Sequence, residues 1–152
     1  MKLLSTVQNL TYIDKNGDKK RPYIIHRSSI GCYERTLAML IEKYAGAFPT
    51  WLSPVQVKIL PISDKYADYA ESVVKSLKDN GVWVEADYRT EKIGYKIREA
   101  RLERVPYICV VGEKEAASNT LSVRSRKNGE EGSIDLAEFE ARILKEIANK
   151  ER

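Results

Sequence analysis

Val55-Gln56-Val57-Lys58-Ile59-Leu60, a helix-spaced Ala67, Ala70, Val74 and Leu77, and then Val82-Trp83-Val84-Glu85-Ala86 form the phrase that decides the fold. The two runs read as strands, and the residues between them share one helical face. Ser63 or Asp64 caps that helix and Gly81 ends it. Further on, Ile93 to Arg104 reads as a strongly basic helix closed before Pro106. Tyr107-Ile108-Cys109-Val110-Val111 has the continuous apolar character of a strand covered on both faces. Leu121-Ser122-Val123-Arg124 alternates like a half-buried strand, and Asn128-Gly129 turns it toward a short strand near Ser133-Ile134. Asp135, with Glu138 three residues later, opens a final helix whose stripe is Leu136, Phe139, Ile143 and Ile147. The order β-α-β-α-β-β-β-α predicts an α/β fold, a mixed five-stranded sheet flanked by helices.

Upstream the texture differs. Leu10-Thr11-Tyr12-Ile13 and Tyr23-Ile24-Ile25 read as a β-hairpin with Asn16-Gly17 as its turn signal. A helix follows from near Gly31, with Leu37, Leu40, Ile41 and Tyr44 on one face, and Gly46 and Pro49 stop it. Phe48 to Pro54 reads as a linker. The expected division is therefore residues 1–50 and 51–152.

The chain has 152 residues, 43% hydrophobic and 32% charged, which fits one globular domain or one with an appendage. No apolar run approaches the ~20 residues that span a bilayer, and the first residues lack a secretory apolar stretch. Two cysteines, Cys32 and Cys109, make no disulfide framework. These features argue against a membrane protein or a disulfide-rich secreted domain and make a cytoplasmic setting the expectation. The net charge of +4 belongs to residues 1–50, because the remainder is balanced. A basic surface beyond residue 50 must be local, and Arg89–Arg104 and Arg124-Ser125-Arg126-Lys127 qualify.

Few residues announce chemistry. His26 is the one histidine, and zinc needs three or four ligands. No phosphate-binding glycine motif and no nucleophile elbow is present. Cys109 lies in an apolar strand and reads as core. Cys32 opens a helix, where the dipole could lower its pKa, but a structural role fits it as well. Arg35 lies one turn into a helix, where the dipole does not favour a cation. It is either an ordinary surface residue or one that grips a phosphate or stacks on a base. The basic helix, with Tyr88 and Tyr95 beside it, is either a solvated face or a nucleic-acid contact.

Longer phrases are more specific. Ile25 to Arg35 resembles motif 3 of threonyl-tRNA synthetases, and Phe48-Pro49-Thr50-Trp51-Leu52-Ser53-Pro54-Val55 resembles the junction to that family's anticodon-binding domain. Glu91 to Glu99, Val105-Pro106-Tyr107, Gly112 to Glu115 and Val123 to Arg126 are similar to that domain in the same order.

The resemblance implies that residues 1–50 are the end of a class II catalytic domain and that residues 51–152 bind the anticodon. It implies an upstream catalytic part, a parent enzyme that attaches threonine to tRNA with ATP and zinc, a homodimeric parent, and no aminoacylation by this segment alone. Carried over by position, Arg35 is the ATP-gripping arginine, Cys32 and Gln8 are ATP contacts, and His26 is one zinc ligand beside a Cys and a His of the upstream part. Thr90, Arg104, Glu115 and Arg124 fall at anticodon-contacting positions, although the family commonly has Asn where Thr90 stands. A free-standing accessory module and a protein-interaction domain with no RNA role are the rival readings.

Overall fold

The computed structural model describes residues 10–23 and 31–151. Gln8 and His26 lie outside them. The chain divides into two compact units, 1–38 and 39–152.

In the first unit, β1 (Tyr12–Ile13) pairs antiparallel with β2 (Lys19–Lys20), Tyr12 opposite Lys20. The expected return strand at Tyr23 is displaced. The Asp14 carboxylate accepts the amides of Asn16 at 2.8 Å and Asp18 at 3.0 Å and pairs with Lys20. This Asx-type turn, with Gly17 at φ +84°, closes the loop early, so residues 19 and 20 are the first able to pair. Tyr23 is 92% exposed, and Ile24 and Ile25 lie outside the described residues.

Helix α1 (Tyr33–Tyr44) buries none of its residues. Leu37 and Ile41, expected on a buried face, are exposed. Ala45 and Gly46 end the helix in left-handed backbone, and the Gly46 amide reaches the Ile41 carbonyl at 3.1 Å.

The second unit holds β3 (Val57–Pro61), α2 (Ala67–Asp79), β4 (Val84–Ala86), α3 (Ile93–Leu102), β5 (Tyr107–Val111), α4 (Glu113–Ser118), β6 (Thr120–Ser125), β7 (Gly129–Asp135) and α5 (Leu136–Asn149). The sheet order is β4-β3-β5-β6-β7. β3 is parallel to β4 and β5, while β5–β6 and β6–β7 are antiparallel, so the expected mixed five-stranded sheet is present. Period-two alternation assigns the two faces. Val57, Ile59, Cys109, Val111, Leu121 and Val123 pack with α2 and α5 through Ala70, Val73, Leu77, Phe139 and Ile143. Leu60, Ile108 and Val110 face α3 through Ile93, Ile97 and Ala100. β3 and β5 are thus buried on both sides, as their unbroken apolar runs require.

Helix α4 and the segment before β3 also depart from the sequence reading. Helix α4 was not anticipated, because Glu113-Lys114-Glu115-Ala116-Ala117-Ser118 has no apolar period. It is set instead by its start, where the Glu115 carboxylate accepts the Gly112 amide at 3.0 Å. The linker is also no loose tether. Its 3-10 turn, Thr50–Leu52, buries Thr50 and Ser53. The Thr50 hydroxyl donates to Glu146 of α5, and the Ser53 hydroxyl bonds the Phe48 and Pro49 carbonyls at 3.1 and 3.0 Å.

Candidate nucleic-acid interface

The parallel strands all enter from one end of the sheet, and this sorts the four expected anticodon positions. Thr90 and Glu115 lie past the carboxyl ends of β4 and β5. Arg104 lies before β5, at the opposite end, and Arg124 lies within β6. Cross-strand pairing sets Arg124 opposite Ile108 and Ile108 opposite Lys58, so Arg124 shares the face that carries α3. Helix α3 covers β3 and β5 there.

The alternation turns Arg124 away from the Leu121 and Val123 face, toward solvent or a ligand. Its guanidinium pairs with Glu130 at 3.0 Å, and its Nε is enclosed without a hydrogen-bond partner. A register shift at Val123/Arg124 explains the neighbourhood. Val123 opposes Gly132 while Arg124 opposes Glu130, so Glu131 is the extra residue of a β-bulge. Glu130 serves Arg124. Glu131 meets Arg142 of α5, which donates to it at 2.5 and 3.0 Å. The Arg142 guanidinium holds the Glu131 carboxyl down at about 2 against the opposing effect of burial.

Near Thr90 the chain is fixed by charge. Buried Asp87 accepts from the Arg89 amide at 3.0 Å and from its guanidinium at 2.9 and 2.6 Å. Arg89 also pairs with Glu99. Arg89 holds the Asp87 carboxyl at about 2. Lys96, one of the cations of the basic helix, turns inward: it is 4% exposed and its Nζ donates to the carbonyls of Asp87 at 2.9 Å and Pro61 at 3.3 Å. The buried ammonium exchanges water for two carbonyls. Only Arg98 and Arg101 of α3 remain exposed cations.

The helix also ends sooner than expected. It stops at Leu102, and Arg104 takes left-handed backbone at φ +59°. A guanidinium missed in the sequence holds it there. Arg126 donates to the Arg104 carbonyl at 2.5 Å and to the Phe48 carbonyl at 2.6 Å. The sequence marked Arg126 as basic, but nothing in strand periodicity signals a contact 78 residues back.

Two of the concavities on this unit bear on nucleic-acid binding. One, of about 800 Å³ between β4 and α3, is lined by Lys58, Glu85, Asp87, Arg89, Glu99 and Glu103. Its carboxylates outnumber its cations, so it does not suit a phosphate backbone. The other, of about 550 Å³ below the sheet beside Thr50 and Tyr107, is bounded by Arg126, Lys127, Arg142 and Lys145 against Glu146 and Glu151. It carries the positive excess.

Of the residues expected to contact ATP or zinc, Cys32 and Arg35 lie among the described residues. Arg35 is exposed on α1. The Cys32 thiol donates to Glu34 at 2.6 Å. Among the described residues no group of three His, Cys, Asp or Glu side chains could hold a metal ion, and Cys109 is fully buried.

Residues 56–146 match the family model described as "Anticodon binding domain". The chain is 81% identical over 144 residues to the threonine--tRNA ligase of Clostridium botulinum (strain Eklund 17B / Type B), a match covering 95% of this chain and 22% of the ligase. The chain thus spans about a fifth of the length of that curated relative. A solved structure of the RNA binding domain of threonyl-tRNA synthetase from Cryptosporidium parvum Iowa II is 36% identical, with a TM-score of 0.71 over 93% of this chain and 36% of that one. A prolyl-tRNA synthetase of Cryptosporidium parvum, at 22% identity and a TM-score of 0.66 over 96% of this chain and 32% of that one, shares the fold. The chain belongs to the anticodon binding domain family, in a form similar to that of the threonine--tRNA ligases.

Proposed function

We propose that this chain is a C-terminal portion of a threonine--tRNA ligase in which residues 51–152 bind the anticodon loop of threonine tRNA. The observation that carries this reading is the 81% identity, over nearly the whole chain, to a threonine--tRNA ligase. Residues 1–50 are the end of the catalytic domain. The complete parent attaches threonine to tRNA with ATP and zinc in the cytoplasm, as a homodimer, and Gln8, His26, Cys32 and Arg35 serve that parent's site. This portion alone neither activates threonine nor binds zinc. Thr90, Arg104, Glu115 and Arg124 contact the anticodon. Single-stranded loop bases expose their edges, which an arginine fork or a carboxylate can read. Arg98, Arg101 and the cations around the lower concavity attract the backbone. Neither rival reading has an observation in its favour.

The test is binding of the chain to a threonine anticodon stem-loop and to the same stem with a scrambled loop, across a salt titration. Tighter binding to the first, with affinity falling as salt rises, supports the reading. Equal binding to both removes it.

A further inference from the structure

We propose that Arg126 is a positioning residue that sets Arg104 for base reading by clamping it to the backbone of residues 46–48. This inference rests on the anticodon-binding reading of Arg104.

Arg104 is a poor candidate for holding itself in place. Left-handed backbone disfavours a residue with a Cβ, and α3 has already ended at Leu102. Three contacts supply what the local sequence does not. The Arg126 guanidinium bonds the Arg104 carbonyl, its amide bonds the Pro106 carbonyl at 2.8 Å, and the Arg104 stem lies over Gly46. A Cβ built on Gly46 would sit 3.7 Å from Arg104 Cδ and 3.9 Å from its Nε. Gly46 is itself left-handed, at φ +76°. The second half of the Arg126 fork ends on Phe48, whose carbonyl also receives the Ser53 hydroxyl. The Phe48 ring is braced by Tyr44, edge-on with centroids 6.0 Å apart.

The chemistry of the clamp differs from that of the other arginine contacts. Arg89, Arg124 and Arg142 are paired with carboxylates, which cancel their charge. Arg126 is held by two carbonyls, and among the described residues no salt bridge reaches Arg126 or Arg104. The pair therefore keeps both positive charges beside the place where an RNA base is to be read. A planar fork can bridge two carbonyls in fixed directions. A lysine carries the same charge on a single flexible nitrogen and cannot hold that geometry.

The experiment compares the intact chain with Arg126→Lys, Arg104→Ala and the double variant, using the threonine anticodon stem-loop and the scrambled-loop stem as probes. Arg126→Lys is expected to lose about five- to tenfold of the preference for the true loop, the low end of what one bidentate base contact contributes. Its salt slope stays that of the parent chain, and the double variant is no worse than Arg104→Ala. Preference retained in Arg126→Lys, or losses that multiply in the double variant, overturn the clamp. Gly46→Ala, which puts a side chain on left-handed backbone at φ +76° beneath the same arginine stem, strains that support, should reproduce the loss and serves if Arg126→Lys does not fold. No effect of Gly46→Ala on preference overturns the clamp as well. A wild-type chain with no loop preference, unchanged by Arg104→Ala, fails the anticodon reading itself. A loop preference sensitive to Arg104→Ala and indifferent to Arg126→Lys fails the clamp alone.

Discussion

Arg124 and Glu130 face each other across β6 and β7 at 3.0 Å, on the sheet face that α3 leaves open beyond β5. The pair is partly exposed, so its own contribution to stability is small. Its consequence is for binding: a base that uses the Arg124 fork must share it with Glu130 or displace it. Arg124→Ala is expected to weaken binding to the threonine anticodon stem-loop by about 1–3 kcal/mol while hardly changing binding to a scrambled loop. Lys127→Ala should weaken both alike and lower the salt slope by about 1. Fluorescence anisotropy on both RNAs decides the matter, and equal losses from Arg124→Ala would reduce that residue to a charge.

On the opposite face, Glu131 gives the unit an acid-sensitive tie. Its ordinary value is 4.5, and the Arg142 guanidinium lowers it to about 2. A depressed folded-state pKa favours folding above the unfolded value, and that stabilisation is lost as pH falls through the folded one. Melting temperature should therefore fall between about pH 4.5 and pH 2. Glu131→Gln should flatten that fall and cost about 1–3 kcal/mol at neutral pH, because it breaks a charged hydrogen-bond pair. An acid-side melting profile identical to that of the parent would show that the tie is unimportant.

The alternating and continuous apolar runs made the sheet legible, since period two and burial on both faces are properties of the strands themselves. Val57, Ile59, Cys109 and Val123 lie where their spacing put them. What escaped the sequence depended on partners far along the chain or on a single extra residue. Lys96 looks like any helical lysine until the carbonyls of Pro61 and Asp87 are beside it. The bulge at Glu131 sets Glu130, and not Glu131, opposite Arg124, and no composition rule announces it. Arg124 was legible as a strand residue, but its pairing was not. Arg126 was legible only as charge.

Lys96 therefore separates structure from recognition. Removing its ammonium leaves two buried carbonyls short of a donor, each a cost of about 1–3 kcal/mol. Lys96→Met should lower stability by about that amount in urea denaturation while leaving the salt slope for RNA binding unchanged. Arg98→Ala combined with Arg101→Ala should do the reverse. A drop in salt slope from Lys96→Met would return the residue to the RNA-facing surface.

Glu146 bears on whether residues 48–54 behave as a hinge or as part of the domain. One of its carboxylate oxygens accepts the Thr50 hydroxyl and the other accepts Tyr107 Oη at 2.6 Å. Burial and that carboxylate push the Tyr107 hydroxyl up to about 12, so the phenol stays protonated and keeps donating throughout the physiological range. The same carboxylate thus fastens the 3-10 turn to α5 and α5 to the start of β5. In Glu146→Ala, Thr50 and Tyr107 lose their acceptor together, a loss of about 1–3 kcal/mol for the charged hydrogen bonds involved. The effect should concentrate at the turn, because Phe139 and Ile143 still anchor α5 in the core. Hydrogen exchange at Leu52 and Ser53, whose amides bond the Pro49 carbonyl at 2.9 and 3.0 Å, should accelerate in Glu146→Ala. Amides in β3 and β5 should keep their protection. Uniform acceleration across the sheet would instead mean that Glu146 supports the whole fold and that the turn has no separate stability.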